Sequence, residues 1–167
     1  MNWITDILAI GNYLEGRSRA SLTAEGIRGV LCLIASPEDI DADTLGVDAH
    51  EVVPLLDGPG NDIRVFRDAV SIVGELSETL PKVLVHCHAG KSRPVGVVAG
   101  HLIRTRGFTT QHALAYVVER REASVVGSGK SDPSHSGNSE PPADRVKVDP
   151  GEPAASSAKR PKRGRDA

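Results

Sequence analysis

Residues 83–94 read VLVHCHAGKSRP, an apolar run that ends in a short polar loop with a cysteine near its start and an arginine near its end. Val83, Leu84 and Val85 form the continuous apolar pattern of a strand buried on both faces. The segment after the loop, PVGVVAGHLIRTRG, is an apolar helix in which Gly96, Ala99 and Gly100 permit close approach to a sheet. A loop at the carboxyl end of a strand and the start of a helix is where open α/β sheets bind ligands. Its composition points to an anion.

Two phosphate-binding patterns compete for this loop. Gly90-Lys91-Ser92 matches the end of a nucleotide-binding loop, but that loop needs a glycine five residues before the second one, where this chain has Val85. The turn that would cradle a diphosphate is therefore missing. The other pattern uses the whole segment. Five residues, His88, Ala89, Gly90, Lys91 and Ser92, separate Cys87 from Arg93, and a loop that short can curl its amides around one phosphate-sized oxyanion. The following helix adds its positive end, and Pro94 suits the first helical turn, where its missing amide costs little. The same field suits Cys87 to the part of a nucleophile. Arg93 supplies a planar fork for two oxygens, a geometry lysine does not offer.

HCHAGKSR resembles the His-Cys-x5-Arg signature of the protein tyrosine phosphatases, and Cys-x-x-Gly-x-Ser-Arg is similar to their dual-specificity branch. ILAIGNYLEG with LTAEGIRGVLCL resembles the opening of such domains, and VVPLLDGPGND resembles the segment carrying their general acid. The resemblance implies a two-step reaction through a cysteinyl-phosphate, with Cys87 as nucleophile, Arg93 and the amides of residues 88–93 stabilising the charged oxygens, and Asp57 as the acid and then the base. It implies no metal and no cofactor. It gives His86 the task of orienting the loop around Cys87. Asp62, beside Asn61 ahead of a helical pattern, reads as a cap rather than a rival acid. In the family a Ser or Thr commonly follows the arginine and helps the sulfur leave; Pro94 stands there, so hydrolysis of the intermediate is expected to be slow, and a phosphate-reading module without turnover is the alternative.

Elsewhere the chain alternates strands and helices. ILAIG, GVLCLIA, HEVVPLL and KVLVHC read as strands, SLTAEG as a short helix, and Asn61 to Leu80 as a helix with Val65, Phe66, Ala69, Val70, Val73 and Leu76 at helical spacing. Thr109 or Thr110 caps a last helix, QHALAYVVERR. The fold class is α/β, a mainly parallel sheet flanked by helices. His50, His101 and His112 read as packing or surface residues, and His86 with His88 lacks a third ligand cluster for a metal. Cys32 reads as a core residue, with a reversible disulfide to Cys87 as a further hypothesis. Two cysteines are too few for a disulfide framework.

Residues 1–123 are expected to form the catalytic domain. Residues 124–167, rich in Gly, Ser, Pro and charge, read as a disordered tail with a basic end, Lys159 to Arg165. A net charge of -2 gives no reason to expect nucleic acid, no run approaches the roughly 18 apolar residues of a membrane span, and a cytoplasmic monomer is expected. Aromatic residues make up 3% of the chain, too few for a deep tyrosine-recognition wall. A shallow pocket for phosphotyrosine and phosphoserine/threonine proteins is expected; the extra charge of Lys91 and His88 resembles the phosphoinositide-directed members of the family, and RNA ends, on which some relatives act, are a further alternative.

Overall fold

In the computed structural model, which describes residues 1–35 and 40–126, the strand that opens the decisive loop is the centre of the sheet. The strands are β1 (Asn2–Trp3), β2 (Leu8–Gly11), β3 (Gly29–Cys32), β4 (Ala49–Val52) and β5 (Val83–His86), in the order β1-β2-β5-β3-β4. Four of them run parallel, and β1 adds an antiparallel edge. Every residue of β2, β3 and β5 is buried, which is why their sequences are continuously apolar rather than alternating.

Helices cover both faces. On one side α4 (Ile63–Thr79), α5 (Arg93–Arg106) and α6 (Thr110–Val126) bury Ala69, Val73, Val97, Leu102, Ala113 and Val117 against Ile10, Leu31 and Val85. On the other, α2 (Arg19–Glu25) and α3 (Ala42–Leu45) bring Leu22 and Leu45 onto Ala9, Val30 and Leu84. Each fully buried Leu or Val contributes about 1.5–3 kcal/mol through apolar surface removed from water. The two layers bury β5 from both sides, and α1 (Tyr13–Gly16) lies against its end.

Local chemistry sets the helix limits. Asp62 caps α4, accepting from the Arg64 amide at 2.8 Å, as expected from sequence. Thr109 Oγ1 accepts from the His112 amide at 3.2 Å and so begins α6. Gly107, in the left-handed region at φ +65°, ends α5. The backbone of α6 continues to Val126, past the composition change at Ser124. The rest of the expected tail, including Lys159 to Arg165, lies outside the described residues. Among those that are described, no helix is long and apolar enough to cross a membrane.

Candidate active site

Cys87 follows β5 directly and is 2% exposed. The loop turns back on it, and the Gly90 amide donates to Cys87 Sγ at 3.2 Å. That turn needs glycine. Gly90 has φ +69°, and a Cβ there would stand 2.7 Å from the Gly11 carbonyl oxygen, so strain and backbone overlap would both oppose a side chain. The Tyr13 amide donates to the His88 carbonyl at 3.0 Å, which ties the loop to the segment after β2. The His88 ring stacks on Tyr13, centroids 5.9 Å apart, while the Arg17 guanidinium lies over the other partner, 4.9 Å from the Tyr13 centroid.

Arg93 begins α5 and is held from the loop that follows β4. Its Nη1 donates to the Leu55 carbonyl at 3.3 Å and its Nη2 lies 3.6 Å from Asp57 Oδ2. Asp57 is exposed, in a turn where Gly58 and Gly60 have φ +113° and +97°. Asn61 fastens that turn: its Oδ1 accepts from the Leu56 amide at 2.7 Å, and its Nδ2 donates to the Leu56 and Gly58 carbonyls at 3.0 Å. Asn61 stands beside the Asp62 cap, yet its side chain closes the turn before it rather than the helix after it. The signal for its true role was the Asp-Gly-Pro-Gly-Asn run, whose two glycines need a side chain to close the turn. A cavity of about 160 Å³ opens between Arg93, Asn61 and Phe66.

The other residues singled out from sequence lie around this centre. Ala89, Lys91 and Ser92 are exposed on the loop. The Lys91 carbonyl accepts from Arg121 Nη1 at 3.0 Å, a contact that brings α6 to the loop and had no sequence signal. Ser92 precedes α5 without a side-chain capping bond, and Pro94 is buried in the first turn. His86 is 1% exposed, its Nδ1 lying 3.4 Å from the Cys87 carbonyl. Burial pushes its imidazole down to about 4, so the ring is neutral at working pH. Of the remaining histidines, His112 stacks on Phe108 and His101 is half-buried in α5.

The fold also gathers a group that spacing along the chain does not show. The sequence shows no third ligand beside His86 and His88, yet the fold gathers Cys32 and His50 with His86, a ligand atom of each lying within 4.8 Å of the others. Residues distant in sequence meet because β3, β4 and β5 are neighbours. His88 is not part of the group. Cys32 aligns with His86 in register, and both cysteines are free thiols.

Residues 16–129 match the family model described as dual specificity phosphatase, catalytic domain. The chain belongs to that family. Dual specificity protein phosphatase 1 of Arabidopsis thaliana is 25% identical over 73% of this chain and 61% of its own. Dual specificity protein phosphatase 12 of Rattus norvegicus is 40% identical over 62% of this chain and 32% of its own. The chain thus spans less than two thirds of either relative. Among solved structures, human tyrosine phosphatase-like serine/threonine/tyrosine-interacting protein is 26% identical and superposes with a TM-score of 0.61 over 73% of this chain and 84% of that one. The family membership agrees with the α/β fold and with a loop closed on Cys87.

Proposed function

We propose that this chain is a cysteine-dependent phosphatase acting on phosphate monoesters. The observation that carries the reading is that one short loop holds Cys87 and Arg93 while a second, closed by Asn61, brings Asp57 to 3.6 Å from Arg93. Cys87 Sγ attacks phosphorus, an S–P bond forms as the P–O bond to the leaving group breaks, and Asp57 gives its proton to the departing oxygen. Water then attacks the cysteinyl-phosphate, Asp57 takes its proton, and the S–P bond breaks to restore the thiolate. Arg93 and the loop amides offset the charge on the equatorial oxygens in both steps. His86 orients the loop through the Cys87 carbonyl.

Phosphorylated proteins are the proposed substrates, both phosphotyrosine and phosphoserine/threonine, acted on by a cytoplasmic monomer that does not engage nucleic acid. The small cavity and the exposed Asp57 favour a shallow site, open to both classes. A reader without turnover is the second reading, favoured by the buried Pro94 where the family commonly has a hydroxyl. Stopped-flow assay of para-nitrophenyl phosphate hydrolysis with a chelator present separates them. Steady turnover abolished by Cys87→Ser supports the enzyme. Phosphate binding with neither burst nor turnover supports the reader.

A further inference from the structure

Behind the phosphate loop, Cys32, His50 and His86 bring one ligand atom each within 4.8 Å of the other two. Three adjacent strands supply them. Cys32 of β3 is in register with His86 of β5, while His50 of β4 pairs with Val30, two residues before Cys32, so alternation along β3 puts all three side chains on one face of the sheet. This is the face covered by α2 and α3.

Both imidazoles are already oriented. His50 Nδ1 lies 2.8 Å from the Ile40 carbonyl and His86 Nδ1 lies 3.4 Å from the Cys87 carbonyl. A carbonyl only accepts, so each Nδ1 carries the hydrogen and each Nε2 keeps its lone pair. A ring fixed through one nitrogen by a backbone carbonyl is the usual outer-shell support of a metal-binding histidine. His86 Nε2 is moreover buried with no hydrogen-bond partner among the described residues, and a buried nitrogen of that kind calls for an explanation. The phosphatase reading employs His86 through Nδ1 and leaves this nitrogen, His50 and the Cys32 thiol without a task.

We propose that Cys32, His50 and His86 form a binding site for one zinc-class divalent ion, with water in the fourth position. A thiolate with two imidazoles suits zinc and is unsuited to magnesium or calcium, which take oxygen ligands. Bond lengths of about 2.0–2.3 Å place tetrahedral ligands about 3.5 Å apart, so the three groups close by about 1 Å on binding. His50 is half-buried, which gives water and the ion an approach. Cys32 now donates to the Ile34 carbonyl at 3.5 Å; coordination releases that thiol proton to solvent. The ion links β3, β4 and β5 and fixes His86, one residue from Cys87, from the side away from the phosphate.

The test uses full-length Cys87→Ser with cobalt(II) as a spectroscopic probe, and its readout is independent of turnover. The sequence has two cysteines, so in that background a sulfur-to-cobalt charge-transfer band reports Cys32 alone. The expected result is this band together with intense visible bands of tetrahedral coordination, saturating at one ion per chain and displaced by zinc. Adding Cys32→Ser removes the charge-transfer band, and adding His50→Asn weakens cobalt binding by at least about 10-fold. Circular dichroism checks that each variant folds; if Cys32→Ser does not, His50→Asn carries the comparison. No charge-transfer band in Cys87→Ser, or cobalt affinity unchanged by His50→Asn, overturns the site.

Discussion

Arg93 Nη2 stands 3.6 Å from Asp57 Oδ2, the guanidinium 12% exposed and the carboxylate 66%. The fork is engaged by this carboxylate and by the Leu55 carbonyl. An entering phosphate must take over those contacts. Asp57→Asn is therefore expected to lower kcat for an alkyl phosphate by about 10²–10⁴-fold through loss of the proton donor. The same change tightens competitive inhibition by inorganic phosphate, because a competing negative charge is gone. Weaker inhibition instead would mean that Asp57 positions Arg93 rather than competing for it.

Pro94 lies in the first turn of α5 directly after Arg93. Pro94→Ser places a hydroxyl there while keeping a residue tolerated in a first turn. If breakdown of the cysteinyl-phosphate limits turnover, this variant raises kcat by about tenfold, which is about 1.4 kcal/mol of barrier, and the pre-steady-state burst shrinks. An unchanged burst would locate the slow step elsewhere.

Two glycines test the packing behind the loop. Gly90→Ala imposes a side chain at φ +69° and within 2.7 Å of the Gly11 oxygen; a cost of about 1–3 kcal/mol is expected, together with loss of the thermal stabilisation that phosphate confers. Gly16→Ala puts a Cβ 2.4–2.6 Å from three atoms of the His86 ring, an overpacking worth about 1–3 kcal/mol. Thermal midpoints with and without phosphate separate the two. Gly90→Ala loses the ligand response, whereas a Gly16→Ala protein that still folds is less stable but responds.

His101 supplies a pH dependence. Burial first, then Arg104 and Arg106, lower its pKa from 6.5, and its Nδ1 is buried without a hydrogen-bond partner among the described residues. The unfolded chain therefore takes up a proton before the folded one does. The stability is fully present above about pH 6.5 and is lost as pH falls below it. His101→Gln is expected to flatten the fall in thermal midpoint between pH 7 and 5; an equal slope in both proteins would show that His101 does not contribute.

The middle of the sheet was legible because β2, β3 and β5 are buried along their whole length. GVLCLIA and KVLVHC contain β3 and β5, and the apolar spacing from Asn61 to Leu80 contains α4. The loop was legible because Cys87 and Arg93 are close in sequence. Short elements were not: β1 has two residues and α1 and α3 four each, too few for a period to register. Contacts made across the fold were equally hidden. Asn61 closing the Asp57 turn, Arg121 reaching the Lys91 carbonyl, and Cys32 meeting His50 and His86 all depend on which elements become neighbours, and that is decided by strand order rather than by spacing along the chain.

The family match begins at Gly16, but the phosphate loop leans on what comes before it. Gly11 abuts Gly90, Tyr13 holds the His88 carbonyl, and β2 pairs with β5 along its whole length. A chain begun at Gly16 would turn the central strand into an open sheet edge, with a buried apolar sequence offering unpaired amides and carbonyls to any other copy. Such a fragment would fail by sticking to itself before any defect in chemistry could be measured.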